Sequence, residues 1–161
     1  MPKPSNVMWC ATILVACACG AADPTDSIDM GDPPPTNVLR VSGSYGTNVA
    51  LVADSCGGSV VQSSPTSVTH ALGATTLSLA HAGSQYAGTI ATDGRFQTTP
   101  SSLDLNGYSY VVALTGEFSM SGFEADVTID RFQQGTQLQR CRYVAKWVAT
   151  RVSGTNVIPA P

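Results

Sequence analysis

The chain has 161 residues, a net charge of −3 and only 12% charged residues, enough length for one domain after processing. From Asn37 onward seven basic and seven acidic side chains balance. That balance argues against a nucleic-acid partner, which needs clustered basic charge to displace counterions. Gly, Ser and Thr are abundant and long helix-favouring polar residues are scarce, a mixture suited to short strands and tight turns.

In chain order, a short segment with one base, Lys3, precedes Val7–Cys19, an uncharged and mostly apolar run of 13 residues. Crossing a bilayer as a helix takes about 20 residues, so this run reads as the apolar region of a secretory signal. Its end, Leu14-Val15-Ala16-Cys17, resembles the lipobox of bacterial lipoproteins. The resemblance implies a signal peptide over 1–16, cleavage before Cys17, and diacylglycerol and palmitate-type acyl chains on that cysteine. It further implies a lipid-anchored place in the bacterial cell envelope, in the outer membrane, since Ala18 rather than Asp follows Cys17. Cys19 is a second candidate, but Ala16 rather than a large apolar residue stands three positions before it. Two or more acyl chains hold a protein durably on a membrane without a polybasic patch.

Residues 17–36 carry the lipidated cysteine and then a tether. The tether holds Pro24, Pro33, Pro34 and Pro35, with Asp23, Asp26, Asp29 and Asp32. It cannot bury enough apolar surface to offset its ordering entropy, and the proline triplet favours an extended spacer.

From 37 to 152 the apolar residues alternate in short bursts between turn residues. The reading is an all-β domain: an antiparallel up-and-down meander of about eight strands, closed or nearly closed into a barrel, with one disulfide. A tail over 153–161 follows. Candidate strands are Val38–Ser44, Val49–Asp54, Ser59–Gln62, Thr75–His81, Gln85–Ala91, Arg95–Thr99, Tyr108–Phe118, Phe123–Arg131 and Leu138–Arg151. After Ile90, a three-residue loop with Gly94 in the left-handed region sets Phe96 opposite Ile90 and keeps both inside. In the last hairpin, Phe123, Ala125, Val127 and Ile129 share one face. Cys141, Tyr143, Ala145, Trp147 and Ala149 share the matching one. A loop at Gln134-Gly135 is expected to place Phe123 across from Trp147, Asp130 near Arg140 and Glu124 near Lys146. The charged rows read as surface cross-strand pairs.

Of five cysteines, Cys10 leaves with the leader and Cys17 takes lipid; Cys56 and Cys141 are the two in the domain and are expected to pair in an oxidising compartment. Two cysteines without nearby histidines supply too few ligands for zinc, so no metal and no cofactor is expected.

No Gly-x-Ser-x-Gly elbow, His-Glu-x-x-His motif or phosphate loop is present, and no catalytic residue is assigned. His81 is in phase with Leu77 and Leu79 and aims inward; His70 lies near Val68 and Leu72. Both read as hydrogen-bonded structural histidines. The inward aromatic residues are interleaved with Gly and Ala. Such a mixture either fills a tapered barrel or leaves a cavity for a small apolar ligand, with Tyr86, Phe96, Tyr110, Phe123, Tyr143 and Trp147 as its candidate walls.

Gly43-Ser44-Tyr45 resembles the Gly-x-Trp that opens the first strand of lipocalin-like barrels, with Tyr in place of Trp, and Arg151 follows the last strand. The resemblance implies that Tyr45 and Arg151 meet at one end of the barrel. The functional expectation is a non-enzymatic, lipid-anchored envelope protein that binds a small apolar ligand. A structural or protein-interaction module is the alternative, and an envelope hydrolase using His70 or His81 a distant third.

Overall fold

The computed structural model describes residues 37–160 apart from residue 137. The expected signal peptide and tether, with Cys10, Cys17 and Cys19, lie outside the described residues. Nine strands form one antiparallel sheet: β1 (Gly43–Asp54), β2 (Ser64–Thr69), β3 (Thr76–His81), β4 (Ser84–Ile90), β5 (Arg95–Thr98), β6 (Ser101–Leu105), β7 (Tyr108–Phe118), β8 (Gly122–Gln133) and β9 (Gln139–Arg151). Each of β1 to β4 pairs with the next, as do β6 to β8. β9 returns to β1, and β5 pairs with β7, which closes an eight-position barrel. The fifth position is shared by β5 and β6, which follow one another along β7.

The break between β5 and β6 has a local cause. Gly88 pairs with Thr98, and Thr99 N–H still donates to Ala87 O (2.8 Å), but Pro100 has no N–H to continue the ladder. Beyond it β6 pairs with β7 and, among the described residues, not with β4. The wall is therefore continuous in one half of the barrel and slotted between β4 and β6 in the other.

The early strands differ from expectation. Val38–Ser44 and Val49–Asp54 are not two strands. β1 runs unbroken from Gly43, because Tyr45 and Thr47 continue the inward alternation through the turn-like Gly46-Thr47-Asn48. Residues 38–42 lie before it, where Arg40 bridges to Val157 of the tail. Ser59–Gln62 is irregular, and the strand is Ser64–Thr69 instead. Pro65 pairs with Gly46 but precedes the first β2–β3 partner, Thr66, so its missing donor costs no ladder bond. β6 has no counterpart among the expected strands.

The β4–β5 turn is as expected: Ile90 faces Phe96, and Gly94 has φ 89°. The β8–β9 hairpin keeps the expected faces but shifts by two residues. Asp130 faces Arg142 rather than Arg140, Asp126 faces Lys146, and Phe123 faces Ala149 while Ala125 faces Trp147. An even shift preserves both faces. It sets each large ring against an alanine, and the irregularity between Arg131 and Phe132 absorbs the offset. Arg142 bonds Asp130 (Nε to Oδ1, 2.6 Å), and Lys146 lies 3.2 Å from Glu124 and 3.6 Å from Asp126, the surface pairing anticipated.

One end of the barrel is plugged. Tyr45, Phe96, Phe118 and Phe123 stack edge-on or tilted with centroids 5.1–6.0 Å apart. Gly116 permits this: a Cβ there would lie 2.8 Å from the Phe96 ring. Arg151 Nη1 donates to Tyr45 Oη (2.8 Å), so the two residues meet at one end as expected. Tyr45 Oη lies 2.5 Å from Val41 O and 2.7 Å from Asn156 Oδ1, and Asn156 Nδ2 donates to Ser119 O (2.6 Å). The residues before β1 and after β9 thus cap the same end, with Leu39, Val41 and Asn156 buried.

Candidate functional site

The opposite end is built differently. Cys56, just past β1, is bonded to Cys141 near the start of β9, with Cα atoms 5.0 Å apart. Asp54 folds the intervening turn. Its carboxylate accepts N–H bonds from Ser59 (2.9 Å), Cys56 (2.7 Å) and Gly57 (3.1 Å), which hold it below the usual carboxylate range against the opposing effect of desolvation. Ser55 and Arg142 exchange further bonds across the same β1–β9 edge.

Between the disulfide and the aromatic plug lies a cavity of about 570 Å³. Its apolar walls are Val49, Val112, Val127, Ile129, Ala145 and Trp147, contributed by β1, β7, β8 and β9. Ser84, Gln85 and Tyr86 of β4 and Ser101, Ser102 and Leu103 of β6 also line it, so it reaches the slot where these strands part. Exposed aliphatic groups stand at its rim: Val60 is 90% exposed, Leu103 56% and Leu105 52%. The volume is within the range of about 300–1,000 Å³ typical of small-molecule sites, and apolar walls with a few polar groups are the usual lining.

Of the six expected wall residues, Tyr86, Tyr110, Tyr143 and Trp147 line this cavity. Phe96 and Phe123 do not. Phe96 is the second residue of β5 and Phe123 the second of β8, both at the plugged end, where they are buried against Phe118 and Tyr45. The three phenols gather at the open end. Burial pushes Tyr143 up from the ordinary phenol value, with Tyr110, Tyr86 and Asp54 adding to the rise and Arg131 opposing it.

Arg131 was not among the expected wall residues. It is the next inward position after Phe123, Ala125, Val127 and Ile129, and that alternation was the signal that could have found it. Its guanidinium lies over the Tyr108 ring (4.7 Å to the centroid). It also lines a recess of about 250 Å³ with Cys56–Val60, Tyr110 and Tyr143. That recess adjoins the cavity through their shared Val60, Tyr110 and Tyr143 walls.

His81 lies on the cavity wall, its Nδ1 2.9 Å from Thr66 Oγ1 and its ring 4.1 Å from Trp147. Desolvation lowers its basicity, partly offset by a bond with the Gln62 backbone. His70 lies at the plugged end, with Nε2 2.8 Å from Ala74 O. Among the described residues neither imidazole is within salt-bridge reach of a carboxylate, and no three His, Cys, Asp or Glu side chains gather as a metal site.

A second depression, about 620 Å³, lies on the outer face across β4, β5, β7, β8 and β9. Its Arg95, Glu117, Glu124, Asp126 and Lys146 pair with one another, so their charges are already answered. The interior cavity is the better candidate, because its apolar walls have no such partners. No protein-family model, no curated protein and no solved structure matches this chain.

Proposed function

We propose that the chain is a lipid-anchored cell-envelope protein whose barrel binds a small apolar or amphiphilic ligand without transforming it. The observation that carries this reading is the cavity of about 570 Å³, with apolar walls from four strands and access at the β4–β6 slot. Burying apolar ligand surface against such walls is favourable by roughly 25 cal/mol per Å² of apolar surface removed from water. The lipobox-like Leu14-Val15-Ala16-Cys17 supports the anchor, and the Pro- and Asp-rich segment to residue 36 supports a spacer between membrane and barrel. The Tyr45–Arg151 contact supports the likeness to lipocalin-like barrels.

The alternative of an envelope interaction module draws on one observation, the exposed Val60, Leu103 and Leu105. These residues line the cavity's rim, which favours a portal over a separate docking face.

The test is a native mass spectrum of the Cys17→Ser protein, exported to an oxidising periplasm and purified without detergent. The expected result is an added mass of roughly a few hundred daltons, lost on denaturation and absent when Ala145→Phe fills the cavity. No adduct, together with no uptake of any added apolar compound, would refute the binding reading. Retention of Cys17→Ser on membranes would refute the assigned anchor.

A further inference from the structure

Arg131 is out of place in an apolar barrel. It points inward from β8, directly across from Tyr110 of β7 and Cys141 of β9. Its Nε is buried and, among the described residues, has no hydrogen-bond partner. Carboxylates answer Arg95, Arg142 and Lys146, the Gln133 side chain answers Arg140, and Tyr45, Asn156 and backbone carbonyls answer Arg151, while Arg40 is exposed to solvent. Among the described residues, the one partner of the Arg131 guanidinium is the Tyr108 ring face. Asp54, on the neighbouring turn, spends its carboxylate on its own turn's N–H groups and Ser59 Oγ. A partly buried guanidinium without an acceptor is costly, and a Leu or Met there would be cheaper.

The recess holding Arg131 opens beside Tyr110 and Tyr143, which also wall the apolar cavity. One compartment is apolar and the next offers a cation and phenol donors. We infer that the site takes a single-chain amphiphile with an anionic head group, a carboxylate or phosphate monoester, its chain in the cavity and its head on Arg131 between Tyr110 and Tyr143. The planar guanidinium fork suits either oxyanion, and charge-assisted bonds are about twice as strong as neutral ones. This inference rests on the binding reading above and names its ligand class.

The experiment uses full-length Cys17→Ser protein and calorimetric titration below micellar concentration with dodecanoate, dodecyl phosphate, 1-dodecanol and dodecylammonium. At least one anion is expected to bind about tenfold or more tighter than the alcohol, and dodecylammonium weakest. The tighter anion identifies the head group. In Arg131→Met the anion preference disappears while dodecanol affinity is kept. The melting temperature of that variant is unchanged or raised, as expected when an unpaired cation is removed. Equal binding of anion and alcohol to the Arg131-containing protein, or an unchanged preference in Arg131→Met, overturns the head-group assignment but leaves the cavity reading standing. Binding of none of the four overturns both.

Discussion

The two ends of this barrel are stabilised by different means. At the plugged end four aromatic rings interlock, and Arg151, Tyr45 and Asn156 tie the segments flanking the barrel into one buried network. At the open end the rings are spread around a cavity, and a disulfide, an Asp-capped turn and surface ion pairs hold the strands. A barrel that keeps a hollow forfeits packing energy there, and a covalent link compensates without filling the space. Hollow and plug thus divide labour: the packed rings and buried polar network stabilise one end while the other keeps its space.

The largest expected effect is in the plug. Phe123→Ala should cost about 3–5 kcal/mol in urea unfolding, whereas Ile129→Ala, already facing the cavity, should cost about 2 kcal/mol or less. Equal costs would show that the two ends are packed alike. Next is the disulfide. Replacing Cys56 and Cys141 by Ser should remove about 2–4 kcal/mol, given a sequence separation of 85. Hydrogen exchange should then rise first at the Gly57–Ser63 loop and the start of β9, with the plug still protected. A rise spread evenly over both ends would show that the bridge is not a local fastener. Arg151→Met should cost about 1–3 kcal/mol by leaving buried acceptors around Tyr45 without their donor, and it should leave ligand affinity unchanged.

The smallest effect is a pH dependence at the open end. His81 is less basic folded than unfolded, so its contribution is present above the unfolded value of 6.5 and is lost as pH falls below it. The melting temperature should drop between about pH 7 and about pH 5, and His81→Gln should flatten that drop. Asp54 acts in the same direction but only at lower pH, as the medium approaches the carboxylate range. Identical slopes in both proteins would remove His81 from the acid response.

Much of the barrel was legible in the chain. The faces of β8 and β9 follow from strict alternation, and the Ile90–Phe96 turn from the need to keep two apolar groups inside. The Cys56–Cys141 bridge follows from there being only two cysteines in the domain. Other features were less legible. β1 contains Gly46-Thr47-Asn48 and β2 contains Pro65, residues that punctuate an isolated chain but sit comfortably where neighbouring strands supply the ladder. β6 is mostly exposed, with only Ser101 half-buried, so its burial carries little alternation.

Patterning along the chain was enough for the faces of β8 and β9, and the presence of just two cysteines in the domain for their pairing, because neither depends on where along the barrel distant strands meet. Only the tertiary structure decided how far along the barrel axis each ring lies. The stagger of β8 on β9 depends on fitting Phe123 against Ala149 and Trp147 against Ala125. That axial position separates Phe96 and Phe123, which plug, from Tyr86, Tyr110 and Tyr143, which line the hollow. It also brings Arg131 to the recess beside the cavity, a juxtaposition of distant strands that periodicity alone does not encode.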